Sequence, residues 1–268
     1  MNSSKKTLSQ SIIAALSASK GSEKISLTFN CYEDWKEGKL DFSFEYTAPD
    51  RPGRPNIPEL LLPKDMPRRR NAKAKAARIA MLHAIAHIEF NAIDLALDIV
   101  LRFGSKMPRE FSDDWLNVAN DEARHFVLLE KRLADFNSFY GALPAHDGLW
   151  QSAENTSHDL LARLAIVPLM LEARGLDVTP TLIAKFESAN DYKSSEALKI
   201  IYEEEIDHVK AGYKWFNYIC ELKGLNPQTK YLELVKIYFA GSLKPPFNIE
   251  ARESAGLAED FYMPMVHN

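Results

Sequence analysis

Cysteine is nearly absent from this chain: Cys31 and Cys220 are the only two. Two distant thiols, in no C-x-x-C or Cys/His spacing, exclude a disulfide framework and a cysteine-rich metal site. They fit a reducing compartment. Long apolar runs are also missing. The stretch Ile12 to Leu16 is too brief for the apolar region of a signal peptide, and no segment approaches the roughly 18 to 20 residues that a membrane span needs. The expectation is a cytoplasmic protein with no membrane role. A strong net charge is lacking too: −4 over 268 residues provides no global field that would favour nucleic acid. No G-x-G-x-x-G segment is present to cradle a flavin or nicotinamide nucleotide.

What is present is a chain with 46% apolar residues, enough for a substantial core. Residues 1–65 read as an arm wrapping the following domain. They hold a short helix near residues 7–18, the alternating segments ISLTF and LDFSFEY, and six prolines from Pro49 to Pro67, which exclude helix interiors. From about Arg68 the pattern turns helical. One helix runs to Phe103, closed by Gly104 and Pro108. A second starts at the N-cap Ser112, with Asp113 and Asp114 in its first turn, and runs to about Tyr140. The stretch ALPAHDGLWQSAENT is long for a connection between packed helices and reads as a crossover. A third helix, kinked at Pro168, closes at Gly175, and a short one follows Pro180. A fourth covers SSEALKIIYEEEIDHVKAGYKWFNYICELKG. A last helix near 228–240 precedes an irregular tail. The reading is all-α: a four-helix bundle over residues 66–240 with a long middle crossover and an extra helix, plus the N-terminal Pro-rich arm and a C-terminal tail, 241–268, packed on the bundle.

Two helices carry polar groups on their buried stripes. Glu122 and His125 share a face with Trp115, Val118, Ala119, Phe126, Leu129 and Leu133. Glu205 and His208 share one with Leu198, Ile201, Val209, Gly212 and Phe216. The first and third helices each add an inward acid: Glu89, aligned with Leu82, Ala86, Ile93 and Val100, and Glu172, aligned with Leu161, Ala165 and Leu169. Glu89 and Glu122 lie 33 residues apart, as do Glu172 and Glu205. At about 1.5 Å of rise per residue, either hairpin can bring its acids to one level. Four inward carboxylates would repel one another and carry a large desolvation cost, so a positive charge must compensate. Two divalent metals, with one imidazole each, would do so; neutralisation by the nearby Arg124, Arg163 or Arg174 is the competing reading, and it leaves the equal spacing unexplained. Glutamate and histidine donors suit iron or manganese. Asp121 and Glu204 each precede a ligand glutamate and are candidates to orient the ligand histidines.

One Glu from each of two helices and Glu-x-x-His from each of two others is the pattern of ferritin-like di-iron and di-manganese carboxylate proteins. Beyond it, HAIAHIEFNAIDLALD, DEARHF, LPAHDGLW, EARGLDVTP and PPFN resemble the ferritin-like family catalogued as a domain of unknown function. The resemblance covers roughly residues 40–265. It implies a ferritin-like bundle, and its architectural relatives include oxygen-dependent hydroxylases (one of them acting on tRNA), aldehyde-deformylating oxygenases, ferroxidases and manganese catalases.

Blander readings hold elsewhere. His83 and His87 share a face, but His87 points away from Glu89, so polar packing or a supporting role near the ligands is favoured. His146 and Asp147 are read as loop anchors. Tyr202, one turn before Glu205, is a candidate proton-donating or redox-active phenol, with a buried aromatic as the commoner explanation. Phe90, Phe126 and Tyr213 are core residues or substrate-lining ones. The basic stretch from Lys64 to Arg78 lacks interleaved aromatics, which favours a solvated helix start over RNA, with tRNA a minor alternative.

The functional expectation is a dinuclear non-haem oxidoreductase that uses dioxygen or peroxide on a small organic substrate. Glu89, Glu122, His125, Glu172, Glu205 and His208 would hold two divalent ions, iron first, with manganese or a mixed Fe/Mn pair as alternatives. Electrons would come from a reductase partner, and a homodimer is admissible. The competing readings are ferroxidation or iron binding without an organic substrate, and a structural metal site in an interaction protein.

Overall fold

In the computed structural model, which describes residues 5–66, 74–239, 241 and 243–266, every regular element is helical. Strands are absent among the described residues, where only three isolated bridges occur. The chain divides into two compact units, Met1–Trp150 and Gln151–Asn268.

The first unit begins with α1 (Leu8–Ser17), started by a reciprocal cap. Gln10 N donates to Thr7 Oγ1 at 3.2 Å, and Thr7 N donates to Gln10 Oε1 at 3.0 Å; the pair satisfies two of the helix's orphan donors. The segment ISLTF lies inside α2 (Gly21–Lys36). Its alternation fits either period over five residues, but the longer stripe of Ile25, Thr28, Cys31 and Trp35, all buried, follows the helical one. LDFSFEY is irregular, with Phe42 and Phe44 packed edge to face at 5.3 Å.

The proline-dense segment passes directly over the end of α1. Gly53 N donates to Leu16 O at 2.7 Å, and a Cβ at Gly53 would fall 2.2 Å from Ser17 O. Only glycine lets the two backbones approach so closely.

The long helix α3 (Lys75–Phe103) is buried at every position from 89 to 101. Residues 67–73, with four of the seven basic residues between Lys64 and Arg78, lie outside the described residues, and with them the expected helix start at Arg68. Asp94, wholly buried on α3, meets Lys24 Nζ at 2.6 Å and Arg54 Nε at 3.0 Å. Lys24 spends its other two donors on Ala15 O and Leu16 O, both at 3.0 Å. Burial pushes the Lys24 ammonium down and the Asp94 carboxyl up, and their contact opposes both shifts.

The next helix, α4 (Arg109–Asp135), starts four residues earlier than the Ser112 cap predicted. Pro108, extended at φ −64° and ψ 160°, is the N-cap residue, and Ser112 is fully buried inside the helix. Asp113 instead accepts from Trp35 Nε1 at 2.7 Å. The helix also ends before Tyr140, because Asn137 takes a left-handed φ of 55°, a conformation asparagine tolerates. The crossover stretch carries α5 (Gly148–Asn155) and pairs with the arm: Leu61 N donates to Ala145 O at 2.8 Å, and Ala145 N to Glu59 O at 2.9 Å.

In the second unit, α6 (Leu160–Ile166) passes into a π segment, Val167–Glu172, and then into α7 (Ala173–Ser188). Pro168 produces the predicted disturbance, yet neither Gly175 nor Pro180 ends the helix. Pro180 has no N–H for the Leu176 carbonyl four residues back; Asn248 Nδ2 donates to that carbonyl at 3.2 Å. Likewise Tyr231 Oη donates to Leu169 O, inside the π segment, at 3.0 Å. The Pro168 ring is accommodated by α8 (Tyr192–Leu222), where a Cβ at Gly212 would lie 2.5 Å from Pro168 Cβ.

After α9 (Pro227–Tyr238), the tail forms α10 (Ile249–Ser254) and α11 (Glu259–Tyr262). It is held by a buried fork: Arg252 Nε and Nη2 donate to the two Asp177 oxygens at 2.8 and 2.7 Å. Among the described residues, no helix is long and apolar enough to cross a membrane.

Two stability outcomes follow. Asp94→Ala should cost about 3–5 kcal/mol by leaving Lys24 buried and uncompensated, and the double replacement Lys24→Met/Asp94→Leu should recover most of it. Urea unfolding measures both. Gly212→Ala should lower the unfolding midpoint by driving a methyl into the rigid Pro168 ring, with a cost of about 1–3 kcal/mol.

Candidate metal centre

The site is assembled from residues that the helical period turns inward. In the first unit, α3 supplies Glu89 and α4 supplies Glu122 and His125, at 3%, 0% and 0% exposure. His125 Nδ1 lies 3.0 Å from Glu89 Oε2 and 3.6 Å from Glu122 Oε2. One ligand atom from each of these residues falls within 4.8 Å of the others. The chemistry of these donors, hard oxygens and one imidazole nitrogen in a dry interior, fits a divalent cation.

The second unit repeats the local motif. On α8, His208 Nδ1 lies 3.6 Å from Glu205 Oε2, the same separation as in the Glu122–His125 pair. His208 is buried, and Glu205 Oε2 is shielded from solvent with no hydrogen-bond donor within reach among the described residues. Glu172 closes the π segment, its Oε2 shielded from solvent. Bulges of this kind re-aim side chains within a helix and recur at functional sites.

The other candidates are placed as follows. Asp121 accepts from Asn117 Nδ2 at 3.0 Å and from Arg124 at 2.7 Å. Glu204 is half-buried on α8. Tyr202 Oη accepts from Asn248 Nδ2 at 2.7 Å. Asp147 pairs with Arg51, and His146 Nδ1 accepts from Gly148 N, the loop-anchoring roles read from the sequence. Tyr213 packs edge to face on Phe261 within the second unit.

A residue missed by sequence reasoning is Tyr140. The sequence places it at the end of the second helix; in the structure it lies beyond that helix and turns inward against Phe90 at 5.3 Å and Phe126 at 5.0 Å, the residues that directly follow Glu89 and His125. Its hydroxyl lies 2.8 Å from His87 Nδ1, while His87 Nε2 lies 3.1 Å from the His146 carbonyl. The Asn91 amide nitrogen also lies 3.1 Å from His87 Nε2, so the ring is held by a phenol, a carbonyl and an amide together. His83 stacks on the same ring, and its Nε2 accepts from Gly141 N at 2.9 Å. Both histidines therefore pack the wall of the site. The available signal was the close repeat of His83, His87 and Glu89 on one helix, but the phenol comes from a loop whose path the local sequence does not dictate.

Burial holds the His87 pKa down at about 4, against a partial lift from the His146 carbonyl hydrogen bond. Burial likewise lifts the Tyr140 phenol far above its ordinary value.

Fold and site together define an all-helical protein with a buried carboxylate–imidazole cluster able to hold a metal ion. The chain belongs to the family described as protein of unknown function DUF455, whose pattern matches residues 17–263. It is 41% identical over 211 residues to an uncharacterized protein of Haemophilus influenzae, covering 76% of this chain and 73% of that relative. No solved structure matches it.

The depressed His87 value gives a pH dependence of known sign. Between the unfolded value of 6.5 and the folded value of about 4, the unfolded chain takes up a proton that the folded one refuses, so stability falls as pH falls through that window. The loss attributable to His87 approaches about 3 kcal/mol at pH 4. Urea midpoints measured from pH 7 to 4 should show a shallower decline in His87→Gln than in the parent protein.

Proposed function

We propose that this protein is a dinuclear non-haem metal oxidoreductase of ferritin-like architecture, acting with dioxygen or peroxide on a small organic substrate. The observation that carries the reading is the buried Glu89, Glu122 and His125 cluster, with its Glu-x-x-His geometry reproduced by Glu205 and His208. The equal 33-residue spacing of Glu89 to Glu122 and Glu172 to Glu205 supports six ligands drawn from two related hairpins, with one imidazole for each ion. Bound iron or manganese would supply the redox chemistry and the coordination positions for oxygen.

The chain's own residues do the rest. Glu89, Glu122, Glu172 and Glu205 bring the negative charge that two divalent ions require. Phe90, Phe126 and Tyr140 form an apolar wall that keeps water from the reacting groups. Asp121 and Glu204 orient the ligand histidines, and Tyr202 delivers a proton from its phenol. A reductase partner supplies electrons in the cytoplasm, since the chain has no nucleotide-binding fingerprint of its own.

Elemental analysis of the purified protein should find about two metal ions per chain, the content of a dinuclear site. Anaerobic loading with Fe(II) and exposure to oxygen should then give an oxygen-dependent near-ultraviolet band. Glu122→Ala and His208→Ala should each lose at least one ion while circular dichroism still reports a helical protein; full occupancy in both would overturn the ligand assignment. Iron oxidation that accumulates ferric product, with no organic substrate accelerating oxygen uptake, would select the iron-handling reading instead.

A further inference from the structure

A cavity of about 370 Å³ opens in the second unit, and none of the proposed ligand residues lines it. This is within the roughly 300–1,000 Å³ range of small-molecule sites, at its lower end. Its lining is apolar, from Met170, Val235, Phe239, Leu243 and Met265, with one charged group, Lys236. Met170 is buried in the π segment, Val235 on α9, and Leu243 and Met265 come from the two tail segments joined by the Leu243–Val266 bridge. Four separate stretches of chain thus converge on a concave apolar surface.

Lys236 decides the occupant. It is exposed in the last turn of α9, and among the described residues no carboxylate pairs with it, whereas Lys230 on the same helix is bonded to Glu233 at 2.8 Å. A positive group beside an otherwise apolar hollow matches a molecule with one negative end and a hydrocarbon body. The methionines supply flexible, polarizable walls that adapt to a chain of methylenes. We propose that this cavity binds a single-chain, medium-length aliphatic carboxylate, its tail against Met170 and Met265 and its carboxylate on Lys236. None of these residues is a proposed metal ligand, so binding is testable whatever the metal content.

The test uses the full-length protein carrying ¹³C-methyl methionine, titrated with decanoate. Saturable binding should move the Met170 and Met265 methyl resonances and leave those of Met81 and Met107, in the other unit, in place. Lys236→Glu should weaken decanoate by about tenfold while changing decanol by no more than about twofold. Met170→Trp, which fills the hollow, should abolish both. The proposal is overturned if decanoate fails to saturate by about 1 mM, a free energy near −4 kcal/mol. It also fails if the shifts fall on other methionines, or if Lys236→Glu leaves decanoate affinity unchanged.

Discussion

A carboxylate taken out of water must find positive charge, and much of this structure is arranged around that requirement. Helix α3 carries three buried acids along its length. Asp94 is met by Lys24 and Arg54, and Asp98 by Arg102, whose guanidinium also donates to the Pro49 carbonyl at 2.8 Å. Glu89 meets the imidazole of His125. Lys24 and Arg54 come from the N-terminal 65 residues, so α2 and the proline-dense segment supply charge to the interior as well as covering it. Lys24 also caps the carbonyls at the end of α1, tying that helix to the same network.

In the second unit Asp177 is met by Arg252, and the other compensated groups are backbone carbonyls. Two prolines fall within one continuous helical rod, and each removes a donor the rod would otherwise use. The side chains of Tyr231 and Asn248 donate to carbonyls in the disturbed stretches. Asn248 also caps α10 and donates to Tyr202, while Arg252 grips Asp177 on α7. The tail is therefore an integral brace for α7. It also helps wall the apolar cavity that adjoins the π segment.

The Glu-x-x-His pairs were legible because helical periodicity is local: three residues apart on a stripe of Val, Leu and Phe leaves a side chain few directions to point. The same logic failed where a short window satisfied two periods, as in ISLTF, or where a residue with cap chemistry sat one turn inside the helix, as Ser112 does. It failed again at Gly175 and Pro180. Glycine keeps its backbone N–H, so Gly175 costs the helix no bond, and at Pro180 the Asn248 side chain replaces the missing donor, so the rod continues. Tyr140 escaped notice because its position depends on the left-handed turn at Asn137 and on contacts with α3.

By itself the sequence determined an all-helical chain, the spacing of the two Glu-x-x-His pairs and the inward direction of Glu89, Glu122, His125 and His208, since each follows from residue type and a 3.6-residue repeat. Only the tertiary structure decided which cation answers which acid, that His87 and Tyr140 build a wall beside the cluster, and that a tail asparagine repairs a helix interrupted by proline. Those outcomes depend on groups tens of residues apart being brought within hydrogen-bonding distance, and no local pattern encodes such an encounter.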